Sequence, residues 1–408
     1  MTLVRSVLAS LLCLGALVVS AGTTKDAVAY REAAETGDAK AQFELGKCYR
    51  DGTGVKKDPV QAVKWFRKAA EQGNLDAQYA LGGCYLSGSG VKKDIRQAVY
   101  WCGKAADKGN AKAQYNLGLC YMSGEDRDYR QAVYWLEKAA AQELKEAQYA
   151  LGVCYYEGLG VTKDPARGLS LTRKSAEQGF AWAQYSLGER LAHGRGMNQD
   201  LEQAAQWFRK SAEQGLAHAQ YYLGVCYENG EGLPEDKKMA AYWFGKAAEQ
   251  NYAPAQYELA LSYSRGTGVK QDRKQAAELW RKAAEQGHAE SQCDLGVCFY
   301  NGEGVPEDRK QAFYWYSKAA EQGNARGQYL AAACYHTGTG VEQDFKKAVD
   351  LLIKSSEQGH ASAQYNLGVC YENGEGVSRD RTKMIYWYRK AAGQGYQPAI
   401  KALKALGL

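Results

Sequence analysis

Small and apolar residues recur along this chain with a long, regular period. A Gln, preceded by Ala in eight of the ten units, returns from Gln42 to Gln364 at steps of 36 residues, with one step of 34. Ten units therefore run from about Ala41 to Ala399. Because a period of about 20–50 residues is typical of solenoids, in which each unit packs on its neighbours, the sequence predicts a repeat protein rather than separate compact domains.

Each unit predicts two helices joined by a glycine-rich loop. In the last unit Tyr365, Leu367 and Tyr371 lie at helical spacing, and the loop Gly374-Glu-Gly-Val follows them. A second helix is predicted from Asp380 to Gly395. The predicted fold class is all-α, an α/α superhelical solenoid of ten roughly 36-residue helix-turn-helix repeats with half-repeat caps. We call the two helices of a repeat its A helix and its B helix.

The B helix carries the expected helix-boundary signals. An Asp precedes it in all ten units, as at Asp58, and its carboxylate can accept from the free N–H groups of the first turn. A Lys follows ten residues later, as at Lys68, and Gly usually ends the helix, as at Gly73. An aromatic residue such as Trp65 is the predicted anchor between them. In the A helix, the repeated Gly at Gly46 and its equivalents predicts close backbone approach.

The first 21 residues have the order of a secretory signal peptide. Arg5 precedes an apolar run from Val7 to Val19, and small residues lead to a predicted cleavage near Ala21. An N-terminal anchor is the alternative. The predicted division is a signal peptide over 1–21, a capping helix over 22–40, ten repeats over 41–397 and a C-terminal capping helix over 398–408. No later segment is apolar enough to predict a membrane span.

Composition narrows the function classes. The 52 basic and 46 acidic residues are mixed along the chain, so the net charge of +6 gives no dominant field for nucleic acid or membranes. The five His are scattered, which argues against a polyhistidine metal site. No cofactor, metal or catalytic site is predicted.

The unit resembles the Sel1-like repeat family, which is related to the tetratricopeptide repeats. The match is Ala-x-Ala-Gln-Tyr-x-Leu-Gly-x-x-Tyr-x-x-Gly-x-Gly-Val, nearly unbroken over residues 361–376, followed by Asp, Trp and Lys-Ala-Ala-Glu-Gln-Gly. The resemblance implies a right-handed superhelix with one concave face. It also implies an adaptor that assembles other proteins, and envelope regulators and host-interaction factors of bacteria are among its members.

Two motifs invite an enzymatic interpretation. The Gly-x-Gly loops, as at Gly52 and Gly54, lack the signature of a phosphate-binding loop and are interpreted as inter-helix turns. A Ser-x-x-Lys runs from Ser89 to Lys92, but no Ser-Asp-Asn or Lys-Thr-Gly accompanies it. A cysteine-rich branch of the family is linked to β-lactam hydrolysis, yet it pairs two Cys per unit. A cell-wall or β-lactam-active hydrolase is therefore an alternative function.

Eight of the eleven cysteines occupy one repeat position, six residues after the Gln. Stacked units place equivalent atoms about 8–10 Å apart, beyond the reach of a disulfide, so we expect buried apolar fillers. Cys102 lies outside this series, and a bridge to Cys84 or Cys120 stays open. A thiol-based envelope stress sensor is a further alternative.

The predicted partner surface is the variable side of the A helices. Positions two, five and nine residues after the Gln (Gln+2, Gln+5 and Gln+9) vary most and, by analogy with tetratricopeptide repeats, line the concave face. Repeat five departs from the pattern because Arg190 replaces the Cys, and the alternative explanation there is sequence drift that the stack tolerates. For the whole row of Gln+2, Gln+5 and Gln+9 positions, the alternative is ordinary solvent surface. The candidate partner-binding residues are Asn116, Leu119, Glu189, Arg190, His193, Tyr222, Val225, Asn229, Arg265, Asp294, Asn301, Asn366 and Asn373. The hypothesis is a secreted or periplasmic scaffold that binds protein or peptide partners without catalysis.

Overall fold

The computed structural model describes residues 24–123 and 127–408, and every regular element in these ranges is an α-helix. The predicted fold class is confirmed. The predicted signal peptide and part of the shortened loop in repeat three, residues 124–126, lie outside the described residues. The helices are α1 Thr24–Glu35, α2 Ala39–Asp51, α3 Pro59–Glu71, α4 Leu75–Ser87, α5 Ile95–Ala106, α6 Ala111–Met122, α7 Tyr129–Ala141, α8 Lys145–Glu157, α9 Pro165–Glu177, α10 Ala181–His193, α11 Leu201–Glu213, α12 Ala217–Asn229, α13 Lys237–Glu249, α14 Ala253–Arg265, α15 Arg273–Glu285, α16 Ala289–Asn301, α17 Arg309–Glu321, α18 Ala325–Thr337, α19 Phe345–Glu357, α20 Ala361–Asn373, α21 Arg381–Ala392 and α22 Gln397–Ala405.

The even-numbered helices α2 to α20 are the A helices, and the odd-numbered helices α3 to α21 are the B helices. The chain forms two compact units that divide after Asp200. The first contains α1 to α10, and the second contains α11 to α22. Within each unit, consecutive helices pack against one another, so the core is a continuous layer between neighbouring helix pairs.

The predicted Asp caps are present on nine B helices. The Asp58 carboxylate accepts from the backbone N–H groups of Val60 and Gln61, each at 3.0 Å. The same capping geometry occurs at Asp94, Asp128, Asp164, Asp236, Asp272, Asp308, Asp344 and Asp380. These caps satisfy N–H groups that would otherwise lack a partner at each helix start.

Backbone conformation and close packing explain why glycine occupies both repeated positions of the inter-helix loop, as at Gly88 and Gly90. Gly88 and Gly90 have φ of 81° and 72°, in the left-handed region that favours glycine. A Cβ on Gly90 would also collide with the carbonyl of Pro59 at the start of the preceding B helix. The motif therefore ends the A helix and lets the loop approach the previous repeat, as expected for an inter-helix turn.

The A-helix glycine contacts the residue after the predicted aromatic anchor. A Cβ on Gly46 would lie 2.6 Å from Cδ1 of Phe66, which is fully buried, whereas Trp65 is only half-buried. Gly224 has the same relation to Phe244. Helical rotation places the position after the Trp toward the neighbouring helix, so this position supplies the large core side chain.

The repeated Gln joins three successive helices through its buried amide. Gln292 Nε2 donates to the carbonyl of Ala284 on the preceding B helix at 3.0 Å, and its Oε1 accepts from Gln322 Nε2, after the following B helix, at 2.8 Å. The Gln-to-Gln bond recurs in eight repeats, as Gln72–Gln42, Gln142–Gln114, Gln178–Gln148, Gln250–Gln220, Gln286–Gln256, Gln322–Gln292, Gln358–Gln328 and Gln394–Gln364.

Repeat two lacks this bond. Lys108 stands where the other repeats have the donating Gln, and the buried Oε1 of Gln78 has no hydrogen-bond partner. A buried amide oxygen without a partner costs about 1–3 kcal/mol.

We predict that Lys108→Gln stabilises the chain. The new amide would donate to Gln78 Oε1 and raise the free energy of unfolding by about 0.5–1 kcal/mol. Chemical denaturation followed by circular dichroism measures the change. Gln72→Lys in repeat one is the matched control, because it removes the Gln72–Gln42 bond and should lower stability. Equal effects of the two variants would contradict the role of the amide bond.

Candidate partner-binding surfaces

The predicted partner-binding residues are at least partly exposed in both units, and Leu119 is the one exception among them. Leu119 is 1% exposed and lies in the core, so it is left out of the proposed surface. Asn116, also on α6, is half-buried and lies beside Gly83 of the preceding A helix. Gln+2 of one repeat therefore approaches Gln+5 of the repeat before it.

Repeat five places an arginine where most repeats place a cysteine. The Arg190 guanidinium lies over the Tyr156 ring, 3.7 Å from its centroid, and its buried Nε has no hydrogen-bond partner. Burial raises the pKa of the Glu189 carboxyl, although Tyr185 donates a hydrogen bond to it and nearby cations oppose the shift. His193 is exposed at the end of α10. The departures from the repeat therefore create a charged and aromatic cluster.

In the second unit, the row begins with an aromatic and apolar patch on α12. Tyr222 stacks on Phe208 with ring centroids 5.3 Å apart, and Val225 packs at the edge of a core cluster while staying partly exposed. Asn229 is exposed and donates to Glu231 at 3.2 Å. The ordered Tyr222 ring offers apolar area to a partner at little entropic cost.

Carboxylates dominate the centre of this row. Burial, and secondarily repulsion from Glu228, raises the pKa of Glu258 to about 7, and the exposed Arg265 opposes the shift. Asp294 accepts from Arg326 at 2.6 Å. Glu258 was not among the predicted partner-binding residues, although its Gln+2 position carried the signal that would have identified it.

The last repeats present mainly amides. Asn366 is hydrogen-bonded to Tyr329 of the preceding A helix, and that contact opposes the burial that raises the pKa of Tyr329. Asn301 and Asn373 are exposed at the ends of α16 and α20. Nearly all the predicted residues of the second unit therefore lie on the solvent-accessible side of successive A helices.

The ten described cysteines are buried, as expected of apolar fillers. Burial raises the pKa of Cys154 to about 12, which disfavours the reactive thiolate. Cys102 takes the position that Phe66 occupies in repeat one, and its thiol is hydrogen-bonded to that of Cys120. Of the two open pairings, the structure therefore records contact between Cys102 and Cys120.

A second surface, not predicted from the sequence, lies on the B helices. It consists of exposed tyrosines that each pack edge-on against the next residue, a tryptophan, at about 5 Å between centroids. A lysine side chain lies over each tyrosine ring, as Lys246 does over Tyr242. These tyrosines are Tyr100, Tyr134, Tyr242, Tyr314 and Tyr386.

Helix pairs of constant length, joined by Gly-x-Gly turns and stacked through one repeated amide, define an all-helical repeat protein. Sel1 repeats match residues 39–74, 75–110, 111–144, 145–180, 183–216, 217–252, 253–288, 289–324, 325–360 and 361–396. The chain belongs to the Sel1 repeat family, whose members are generally protein-interaction scaffolds.

Two solved structures are similar over most of the chain. One is c5321, described as a protective antigen present in uropathogenic Escherichia coli strains that displays an SLR fold, with 34% identity, 92% of this chain and 90% of that chain covered, and a TM-score of 0.57. The other is a Sel1 repeat protein from Oxalobacter formigenes, with 33% identity, 75% and 89% covered, and a TM-score of 0.56. No curated relative matches the chain. Among the described helices, none is long and apolar enough to cross a membrane.

We predict that Glu258→Gln stabilises the chain increasingly as pH rises. The folded pKa of about 7 lies above the ordinary value of 4.5, so the stability associated with the protonated carboxyl is complete below pH 4.5 and is lost as pH rises through 7. The glutamine variant escapes that loss. Thermal unfolding at several pH values should show a melting-temperature gain at pH 8 that shrinks toward pH 4. The exposed Glu285→Gln is the control, and a pH-independent gain would contradict the shift.

We also predict slow thiol reactivity in the native protein. Because the described cysteines are buried, a thiol reagent should label few of them until denaturant is added. An added surface thiol, Ser378→Cys, is the control for reagent access. Rapid labelling of several native cysteines would instead favour the stress-sensor alternative.

Proposed function

We propose that the chain is an exported adaptor that binds a protein segment on the A-helix face of repeats six to ten. The signal-like order of residues 1–21 supports export to the periplasm or the exterior. The family supports protein partners. The A-helix face of these repeats is accessible to solvent, and the family resemblance implies that it is concave. Both properties support the location of the site on this face.

The single observation that carries the location is the half-buried carboxylate of Glu258. It lies near a second carboxylate, Glu228, and a single cation, Arg265, acts against this repulsion. The same row offers the partly exposed Tyr222 and Val225. A partner segment that places a Lys or Arg near Glu258 and an apolar side chain on Tyr222 would therefore complement both the charge and the apolar area of this face.

The hydrolase alternative gains no support from the geometry of its motif. Ser89 and Lys92 are exposed in the loop between α4 and α5. The Ser89 backbone N–H donates to the carbonyl of Cys84 at 3.1 Å, as part of the turn that ends α4. The termination of α4 therefore explains the position of Ser89 without a catalytic role.

The binding proposal is tested with peptides selected against the purified full chain from a displayed random library. Selected peptides should combine basic and apolar residues, and their affinity should fall with ionic strength. Tyr222→Ala and Glu258→Gln should each weaken binding about tenfold, because central aromatic and paired charged residues dominate such interfaces. Tyr242→Ala, an exposed tyrosine on a B helix, is the matched control and should leave affinity unchanged.

Binding that is insensitive to both A-helix variants, or equally sensitive to Tyr242→Ala, would overturn the location. Export is tested separately by expressing the whole coding sequence, fractionating the cells and determining the N-terminus of the product. A mature chain that begins after Ala21 outside the cytoplasm is expected. Retention of an intact N-terminus in the cytoplasm would contradict export.

A further inference from the structure

Three metal-ligating side chains of different chemistry converge where repeat nine meets repeat ten. His336 lies near the end of α18, Cys370 lies in α20, and Glu375 lies in the loop that follows α20. One ligand atom of each, an imidazole nitrogen, the thiol sulfur and a carboxylate oxygen, lies within 4.8 Å of the others. The contact brings together residues 34 and 39 positions apart in the chain, so repeat stacking creates the cluster.

Neighbouring groups orient two of the three side chains. His336 Nε2 lies 2.7 Å from Glu375 Oε2, and Asn373 Nδ2 lies 3.2 Å from the other carboxylate oxygen, Oε1. The His336 ring packs edge-on against Phe345, with centroids 5.1 Å apart. Such supporting contacts reduce the conformational freedom that metal ligands would otherwise lose on binding.

The cluster is buried on one side and open on the other. Cys370 is 2% exposed, whereas the side chains of His336 and Glu375 are 39% and 31% exposed. An ion can therefore enter from solvent between the imidazole and the carboxylate and meet the sulfur below them. The distance between His336 Nε2 and Glu375 Oε2 needs to open by about 0.6–0.9 Å to become an edge of a tetrahedral site with bonds of about 2.0–2.2 Å.

We propose that His336, Cys370 and Glu375 form a zinc site whose fourth ligand is water. One nitrogen, one sulfur and one oxygen donor suit Zn²⁺, which accepts all three ligand types in tetrahedral geometry. Ca²⁺ and Mg²⁺ prefer oxygen ligands and are disfavoured by the thiol. The ion would join α18 of repeat nine to α20 and its loop in repeat ten, in addition to the contacts that stack these repeats.

The repeats themselves provide an internal comparison. Two repeats earlier, the equivalent positions are Ser264, Cys298 and Glu303, so only the imidazole is missing. One repeat earlier they are Tyr300, Cys334 and Thr339. Within residues 24–123 and 127–408, the His336 group is the one cluster of three such ligands that meets the distance limit.

The proposal is tested by titrating Co²⁺ and Zn²⁺ into the reduced, untagged full chain. We expect one tightly bound equivalent of Co²⁺, with a thiolate-to-cobalt charge-transfer band and the strong visible bands of tetrahedral cobalt, both displaced by Zn²⁺. Competition with a chromophoric chelator measures Zn²⁺ affinity. His336→Phe and Glu375→Gln should each weaken it at least tenfold, and Cys370→Ser should abolish the charge-transfer band.

Cys298→Ser is the matched control, because it removes the equivalent thiol from a position without the imidazole, and it should leave binding unchanged. Ser264→His, which completes the earlier set of ligands, should add a second, weaker equivalent. If Cys370→Ser fails to fold, His336→Phe and Glu375→Gln still test the zinc site, because both of these side chains are partly exposed. A Zn²⁺ affinity that is unchanged in both His336→Phe and Glu375→Gln, or no bound equivalent in the natural chain, would overturn the proposal.

Discussion

The buried amide of the repeated glutamine is the interaction on which the arrangement of the repeats depends. Its nitrogen donates to the end of one helix and its oxygen accepts from the end of another, so three helices share one side chain, as at Gln292. Both ends of a buried amide need partners, and this requirement restricts the relative position of the helices more narrowly than apolar packing does. The regular placement of the A helices, and therefore of the row that includes Tyr222 and Glu258, follows from it.

Apolar packing tolerates more variation than the amide bonds do. The small Gly of the A helix faces Phe66 in repeat one, Leu136 in repeat three and Tyr388 in repeat ten. In repeat seven Ala260 replaces the Gly, and the facing position is Trp280. Since one side of the contact stays small, the other side can vary in shape. This tolerance allows Cys102 to occupy the same position and to place its thiol against Cys120.

Much of the fold was predictable because its signals are local. The period, the Asp caps and the loop glycines each act within a few residues, and all three led to the correct helices. The predicted anchor Trp65 is half-buried, and the large core side chain is the next residue, Phe66, because the neighbouring helix decides which of two adjacent aromatic residues is covered. The candidate surface was harder to predict, as Leu119 and Glu258 show, because the adjacent repeat decides how far each of these side chains is buried. The cluster at His336 was not predicted, because its members meet only when two repeats are stacked.

The unpaired oxygen of Gln78 has a consequence for how the array loses structure. In a linear array, stability is approximately a sum over units and the contacts between neighbours, so a unit of lower intrinsic stability can unfold before the rest. Repeat two lacks the bond between its own A helix and the end of its own B helix that eight other repeats possess, so its intrinsic stability as a unit is correspondingly lower. Repeat two, α4 and α5, is therefore the place in the first unit where local unfolding is easiest, and we expect proteolysis to enter there before the repeats that retain the amide bond.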